Sequence, residues 1–192
     1  MPVELSKAAL RQEALERRDV LPPEERAAAA EIIASRLLPF TVTPGSVVSG
    51  FLPIKTEINP LPLLRKLAAA GAKLALPVIA GRGKPLTMRA YAVGDPLDPG
   101  QWGIREPLPS AGEVDPDILI VPLACFDRRG HRIGYGAGYF DQTITRLRAI
   151  KPVIAAVIGF AVQEIERVPE TARDARLDLV LTEREVIDLR GT

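Results

Sequence analysis

Cysteine and histidine are almost missing from this sequence: Cys125 and His131 are the only examples in 192 residues. A lone cysteine cannot close an internal disulfide, which fits a reducing compartment. A lone histidine excludes a multi-histidine zinc centre. Neither a Cys/His nor a Ser/His arrangement stands out to supply a covalent nucleophile with its base. Charge of one sign is also lacking. The formal net charge is +1, which argues against a generally basic nucleic-acid binder, though not against local basic clusters. Long apolar runs are absent too: the longest, Val153 to Val162, is about half of the roughly 20 residues that a membrane helix needs. The N-terminal MPVELSKAALRQEAL is charged and amphipathic, without the apolar centre of a signal peptide. These absences lead to the expectation of a soluble, cytoplasmic protein. Two nucleotide motifs are missing as well: no Gly-Lys-Ser or Gly-Lys-Thr occurs, and no glycine run fits G-x-G-x-x-G.

What is present includes 47% hydrophobic and 26% charged residues, the balance of a globular domain long enough to bury a sizeable core. No repeat, low-complexity tract or linker divides the chain, so one domain is expected. Its most informative stretch runs from Ile118 to Leu147. Ile118-Leu119-Ile120-Val121 reads as a strand buried on both faces. Charge then enters with Asp127, Arg128, Arg129 and Arg132, and backbone freedom with Gly130, Gly134, Gly136 and Gly138. After Tyr139, the spacing of Phe140, Ile144 and Leu147 suits an amphipathic helix. Strand, basic glycine loop and helix make a plausible phosphate site, because glycine lets backbone N–H groups approach a ligand and a helix N-terminus favours anions. Asp141, in the first helical turn, can cap the helix or hold a metal that bridges phosphates. The plainer alternative is a tight strand-to-helix turn.

The run FDRRGHRIGYGAGYFD, residues 126–141, closely resembles the signature of the 5-formyltetrahydrofolate cyclo-ligase family, also called 5,10-methenyltetrahydrofolate synthetases. That signature reads roughly F-D-x-x-G-x-R-(L/I)-G-(Y/R)-G-x-G-Y-(Y/F)-D. Four further motifs match the family in the right order. Lys7-Ala8-Ala9-Leu10-Arg11 matches its K-x-x-L-R start. On spacing alone, Lys7 and Arg11 form either a solvated basic face or an anion site on a helix capped by Ser6 and ending near Arg18, with Leu10, Ala14 and Arg17 on one side. Glu57-Ile58-Asn59-Pro60 follows a strand expected over Val47 to Leu52 and matches E-(I/V)-x-(P/T). Taken alone, Glu57 is a site candidate past a strand end or simply a solvated loop residue. Trp102 precedes Gly103-Ile104-Arg105-Glu106-Pro107, the family's G-(I/V)-x-E-P segment. It either pins a long Gly94–Pro116 loop to the core or contacts a ligand. Asp174 matches the first Asp of H-D-x-x-(L/M)-D.

The resemblance implies a single α/β domain with three-layer α/β/α, Rossmann-like architecture and a mainly parallel sheet. It implies ATP-dependent closure of 5-formyltetrahydrofolate to 5,10-methenyltetrahydrofolate, with Mg²⁺ as cofactor. Lys7, Arg132 and Glu57 become catalytic candidates. Lys7, Arg11 and Arg132, with Ile133, Gly134, Tyr135, Gly136, Ala137, Gly138, Tyr139 and Phe140, become the ATP site. Leu52, Glu57 and Trp102, with residues 135–139, border the folate, and Asp141 and Asp174 hold the metal. The partners implied are these two small molecules, with neither nucleic acid nor membrane, and a monomer is expected. The chain departs from the pattern at Ala137 (commonly Gly), Phe140 (commonly Tyr), Gln142 (commonly Arg) and Arg173 (commonly His). A diverged relative that binds ATP but acts on another substrate, or a non-enzymatic nucleotide- or RNA-binding module, remains an alternative reading.

Overall fold

The computed structural model describes residues 6–191, so the first five residues of the N-terminal segment lie outside it. Its elements follow the order α1 (Lys7–Asp19), α2 (Pro23–Ser35), β1 (Val47–Ser49), α3 (Leu61–Ala69), β2 (Lys73–Val78) and β3 (Thr87–Tyr91). Then come β4 (Leu97–Pro99), β5 (Arg105–Pro107), β6 (Ile118–Val121), β7 (Cys125–Phe126), β8 (Arg132–Ile133) and α4 (Tyr139–Arg148). The chain ends with β9 (Ile154–Ile158), β10 (Leu179–Leu181) and β11 (Val186–Asp188).

Seven strands form one sheet in the order β11-β10-β9-β6-β1-β2-β3. The five central strands run parallel, and β3 and β11 close the edges antiparallel. The mainly parallel sheet expected from alternating strands and helices is therefore present. Period-two alternation sends side chains to both faces. Ile118 and Ile120 pack in one core with Ile33 of α2 and Leu64 of α3, while Leu119 and Val121 pack in another with Ile144 and Leu147 of α4. Helices on both faces make the sheet the middle of three layers. The run Ile118–Val121 is wholly buried, as its unbroken apolar character requires.

Strand β1 leads through α3 to β2 on one side, whereas its other neighbour, β6, leads through α4 to β9. Winding reverses between β1 and β6, and such a switch point opens a crevice beyond the carboxyl ends of the strands. A small third core fixes what stands over that crevice. Ala14 of α1 packs there with Cys125, Ile133 and Val168.

The end of β1 and the loop before Pro116 differ from expectation. Strand β1 ends at Ser49 rather than Leu52, because the chain closes on α3 at Gly50, where an added Cβ would meet Leu64 Cδ1 at 2.4 Å. Helix α2 stops at Ser35. Arg36 is extended and its guanidinium binds the carbonyls of Thr182 and Glu183. The long loop before Pro116 contains the hairpin β4–β5, registered Leu97↔Pro107 to Pro99↔Arg105. Prolines at both ends hide the strand pattern there. A short helical turn spans Ala161–Gln163, and the segment 164–169 after it is irregular.

Candidate active site

The glycine stretch does not run directly from strand to helix: a second hairpin, β7–β8, lies between them. Asp127 builds its turn. Fully buried, it accepts hydrogen bonds from the backbone N–H groups of Arg129 (3.0 Å), His131 (3.1 Å) and Val168 (2.9 Å). This hairpin sorts the cations. Arg128 pairs outward with Glu164 and Glu185, and Arg129 with Asp127 and Glu170, so those two arginines serve structure. Arg132 turns inward and is buried.

After Ile133 the backbone forms a loop that needs glycine. Gly136 and Gly138 have φ of +102° and +69°, in the left-handed region where a side chain is strained. A Cβ on Gly134 would lie 2.6 Å from Arg132 Nη1. Gly138 is also the N-cap of α4 and makes no side-chain cap hydrogen bond, so the first-turn N–H groups lack a side-chain partner at the cap. Asp141 does not cap this helix as one sequence reading suggested. It accepts from Ala175 N at 3.1 Å and from Arg132 Nη2 at 3.3 Å.

Every site residue singled out from the sequence lines one cleft of about 370 Å³ at the switch point. Lys7, Arg11 and Arg132 gather at one end with Asp141 and Asp174. Each cation already has an internal partner. Lys7 Nζ meets Asp174 Oδ2 at 2.5 Å, and Arg11 Nε donates to the Gly134 carbonyl at 2.7 Å, fastening the glycine loop to α1. Burial pushes the Arg132 pKa down, against Asp141 and Asp174, and its buried Nε has no acceptor. Arginine stays charged under such pressure, so this N–H is available to an anion. Burial raises the Asp174 carboxyl, but hydrogen bonds from Lys7 and the Thr171 N–H outweigh it, and the net pKa is low.

The other end is apolar with one carboxylate. Phe51, Leu52, Ile79 and Leu86 line it, along with Glu57. Glu57 is 8% exposed. Its Oε2 accepts from Ile54 N at 2.8 Å, while the buried Oε1 lacks a well-formed hydrogen bond. Burial raises the Glu57 pKa, opposed by the neighbouring Tyr135 hydroxyl, the Ile54 N–H and Arg18. Tyr135 shows the reciprocal effect: burial and the Glu57 charge push its phenol up, keeping it a neutral donor. Trp102 does not pin its loop to the core. It is 71% exposed at the tip of β4–β5 with φ +56°, its ring 6.1 Å from that of Tyr139. Cys125, with a pKa raised by burial to about 11, is an inert core thiol.

Among the described residues no group of three or more His, Cys, Asp or Glu side chains could hold a metal by itself. Asp141 and Asp174 nevertheless fit Mg²⁺ of the kind bound through one or two carboxylates with substrate phosphates supplying the rest. Of the departures from the family signature, Phe140 lies 6.0 Å from the Arg132 guanidinium and Ala137 lines the cleft, whereas Arg173 is exposed outside it. The important omission from the sequence reading is Arg18. It continues the four-residue stripe of Leu10 and Ala14 and is 2% exposed, while Arg17, assigned to that stripe, is exposed.

Fold and cleft together define a doubly wound α/β protein whose crevice joins a cationic, glycine-lined end to an apolar end bearing one buried carboxylate. The model of the 5-formyltetrahydrofolate cyclo-ligase family matches residues 3–183, and the chain belongs to this family of ligases. A 5-formyltetrahydrofolate cyclo-ligase of Mycolicibacterium smegmatis is 32% identical over 194 residues, covering 96% of this chain and 98% of the relative. The Escherichia coli 5-formyltetrahydrofolate cyclo-ligase is 30% identical over 182 residues, covering 89% and 97%. Among solved structures, the Aquifex aeolicus 5,10-methenyltetrahydrofolate synthetase aligns with a TM-score of 0.81 at 29% identity, covering 98% of this chain and 95% of that one. No helix among the described residues is long and apolar enough to cross a membrane.

Proposed function

We propose that this chain closes 5-formyltetrahydrofolate to 5,10-methenyltetrahydrofolate while converting ATP to ADP and phosphate. The observation that carries the reading is the division of one cleft. Arg132 keeps an unpaired buried donor at one end, and Glu57 keeps a buried Oε1 without a well-formed hydrogen bond at the other. A pterin offers a ring N–H and an amino group, which a carboxylate accepts together. An ATP phosphate offers oxygens to Arg132, Lys7, Arg11 and the backbone N–H groups of the glycine loop.

ATP is required because an amide-like formyl oxygen is a poor leaving group. That oxygen attacks the γ-phosphorus, the bond to the ADP oxygen breaks, and an N5-iminium phosphate results. N10 then adds to the former formyl carbon and loses its proton, and the C–O bond breaks to release phosphate. Neither step needs an enzyme nucleophile. The chain positions the oxygen in line with the γ-phosphate and offsets charge on the transferring group. Lys7 exchanges its Asp174 partner for phosphate oxygens, Arg132 faces the transferring phosphate, and Leu52, Trp102, Tyr135 and Tyr139 flank the folate. Asp141 and Asp174 would hold Mg²⁺, which would supply neutralisation of phosphate charge.

The test is absorbance at the methenyltetrahydrofolate band, with purified protein, 5-formyltetrahydrofolate, Mg²⁺ and ATP. The expected result is a rise that requires both ATP and protein and falls at least about a hundredfold in Arg132→Ala, the scale set by losing one preorganised charge donor. ATP binding without any rise would transfer the reading to another formylated or amide substrate.

A further inference from the structure

Arg18 lies outside the cleft, yet from α1 it reaches two of the segments that border the folate end. Its Nη1 donates to Tyr135 Oη at 2.7 Å, and its Nε donates to Thr56 Oγ1 at 2.9 Å, one residue before Glu57. Among the described residues its only ion-pair partner is its neighbour Asp19, at 3.3 Å, whose side chain is 52% exposed. Asp19 in turn receives the Thr56 hydroxyl. A leucine would fill this helix position without the cost of burying a charge. We propose that Arg18 is a positioning residue: it orients Tyr135 and the Thr56–Glu57 turn toward the pterin, setting affinity for folate but not for ATP.

The argument rests on hydrogen-bond direction. A phenol has one proton. Because the Tyr135 oxygen accepts from Arg18, its own proton points elsewhere, and Glu57 is the charged group beside it. Arg18 thereby fixes a side chain that is 46% exposed. The groups facing Glu57 are Arg18 from α1, Tyr135 from the glycine loop and the Ile54 N–H, with Asp19 behind Thr56. Of these, only Arg18 carries positive charge. Its attraction partly offsets the burial that otherwise favours the protonated carboxyl, and a protonated Glu57 cannot accept from both pterin donors.

The proposal builds on the folate reading above, and two measurements keep the two separable. Wild-type turnover checks that reading. Titration of the Glu57 carboxyl by ¹³C NMR in ligand-free protein checks Arg18 without turnover. In Arg18→Met the Glu57 pKa should rise, because a nearby opposite charge is removed and the Tyr135 hydroxyl loses its fixed orientation. The acidic limb of kcat/KM for folate should move up with it. Folate KM should rise about tenfold, the value of one charged hydrogen bond, while ATP KM stays within about twofold. Arg18→Lys should restore the Glu57 pKa but only part of the folate affinity, since it lacks the two-armed reach to Thr56 and Tyr135. If Arg18→Met does not fold, Arg18→Lys and Thr56→Val, a substitution at a half-buried loop position, decide by the same folate-to-ATP split. An unchanged Glu57 titration, or folate and ATP KM rising together with an unmoved acidic limb, would reduce Arg18 to a packing residue and overturn the proposal.

Discussion

An added Cβ at Gly134 would lie 2.6 Å from Arg132 Nη1, whereas at Gly136 the obstacle is the backbone itself, with φ +102°. Gly136→Ala should therefore cost about 1–2 kcal/mol of stability in urea unfolding, the penalty of a left-handed residue with a side chain. Gly134→Ala has no such backbone penalty, but it displaces the buried guanidinium, so its larger effect should be a raised KM for ATP. Equal stability losses in the two variants would contradict this division. Glu57 makes a different prediction. Its folded pKa is raised above the ordinary 4.5, so the folded state binds its proton more tightly than the unfolded chain does. Its ionisation then lowers stability above the folded pKa, and that penalty disappears as pH falls below the unfolded value. Glu57→Gln should accordingly be more stable than wild type at pH 7 and lose that advantage near pH 4. The same substitution should weaken folate binding, because the amide donates where the pterin needs an acceptor. A Glu57→Gln protein less stable than wild type at pH 7 would contradict the sign.

The hairpin β4–β5 carries Trp102 out to the cleft mouth, and it is the only tryptophan in the chain. Gly100 makes its narrow tip possible, since a Cβ there would approach the Ile104 carbonyl at 2.4 Å. With Trp102 exposed in the free protein, adding 5-formyltetrahydrofolate should shift its emission to the blue and quench it, as the indole leaves water and stacks on a flat ring. ATP alone should leave the emission nearly unchanged. The reverse order of effects would place the folate elsewhere. Helix α1 works on both ends of the cleft at once. Lys7 and Arg11 reach the cationic end, the latter by fastening Gly134, and Arg18 reaches Tyr135 at the other. One rigid helix thus couples the placement of the glycine loop to the placement of Glu57.

For the whole molecule, the sheet centre is the part least able to change. Ile120 is completely buried between α2, α3 and the neighbouring strands. Ile120→Ala should lower unfolding free energy by about 2–5 kcal/mol through lost burial and a residual cavity, read from the urea midpoint. Because the cleft lies beyond the strand ends, residual folded protein should retain its KM values. The loops after β1, β2 and β6 bring Glu57, Ile79 and Pro122 to the crevice, and winding in both directions from the β1–β6 junction is what leaves room between them.

Local patterns in the sequence determined a good deal. Ser6 sets the start of α1, the β-branched run at Ile118–Val121 sets the central strand, and the glycine spacing marks a loop with left-handed residues. These follow from nearest-neighbour chemistry, which a sequence records directly. The ordered motifs also pointed to one family. Only tertiary structure decided which charges face the cleft, because pairing partners lie far apart in the chain. It turned Arg128 and Arg129 outward to Glu164, Glu185 and Glu170, and buried Arg18 against Tyr135, 117 residues away. The hairpin β7–β8 and the exposure of Trp102 were likewise not legible, since both depend on long-range packing rather than on local propensity.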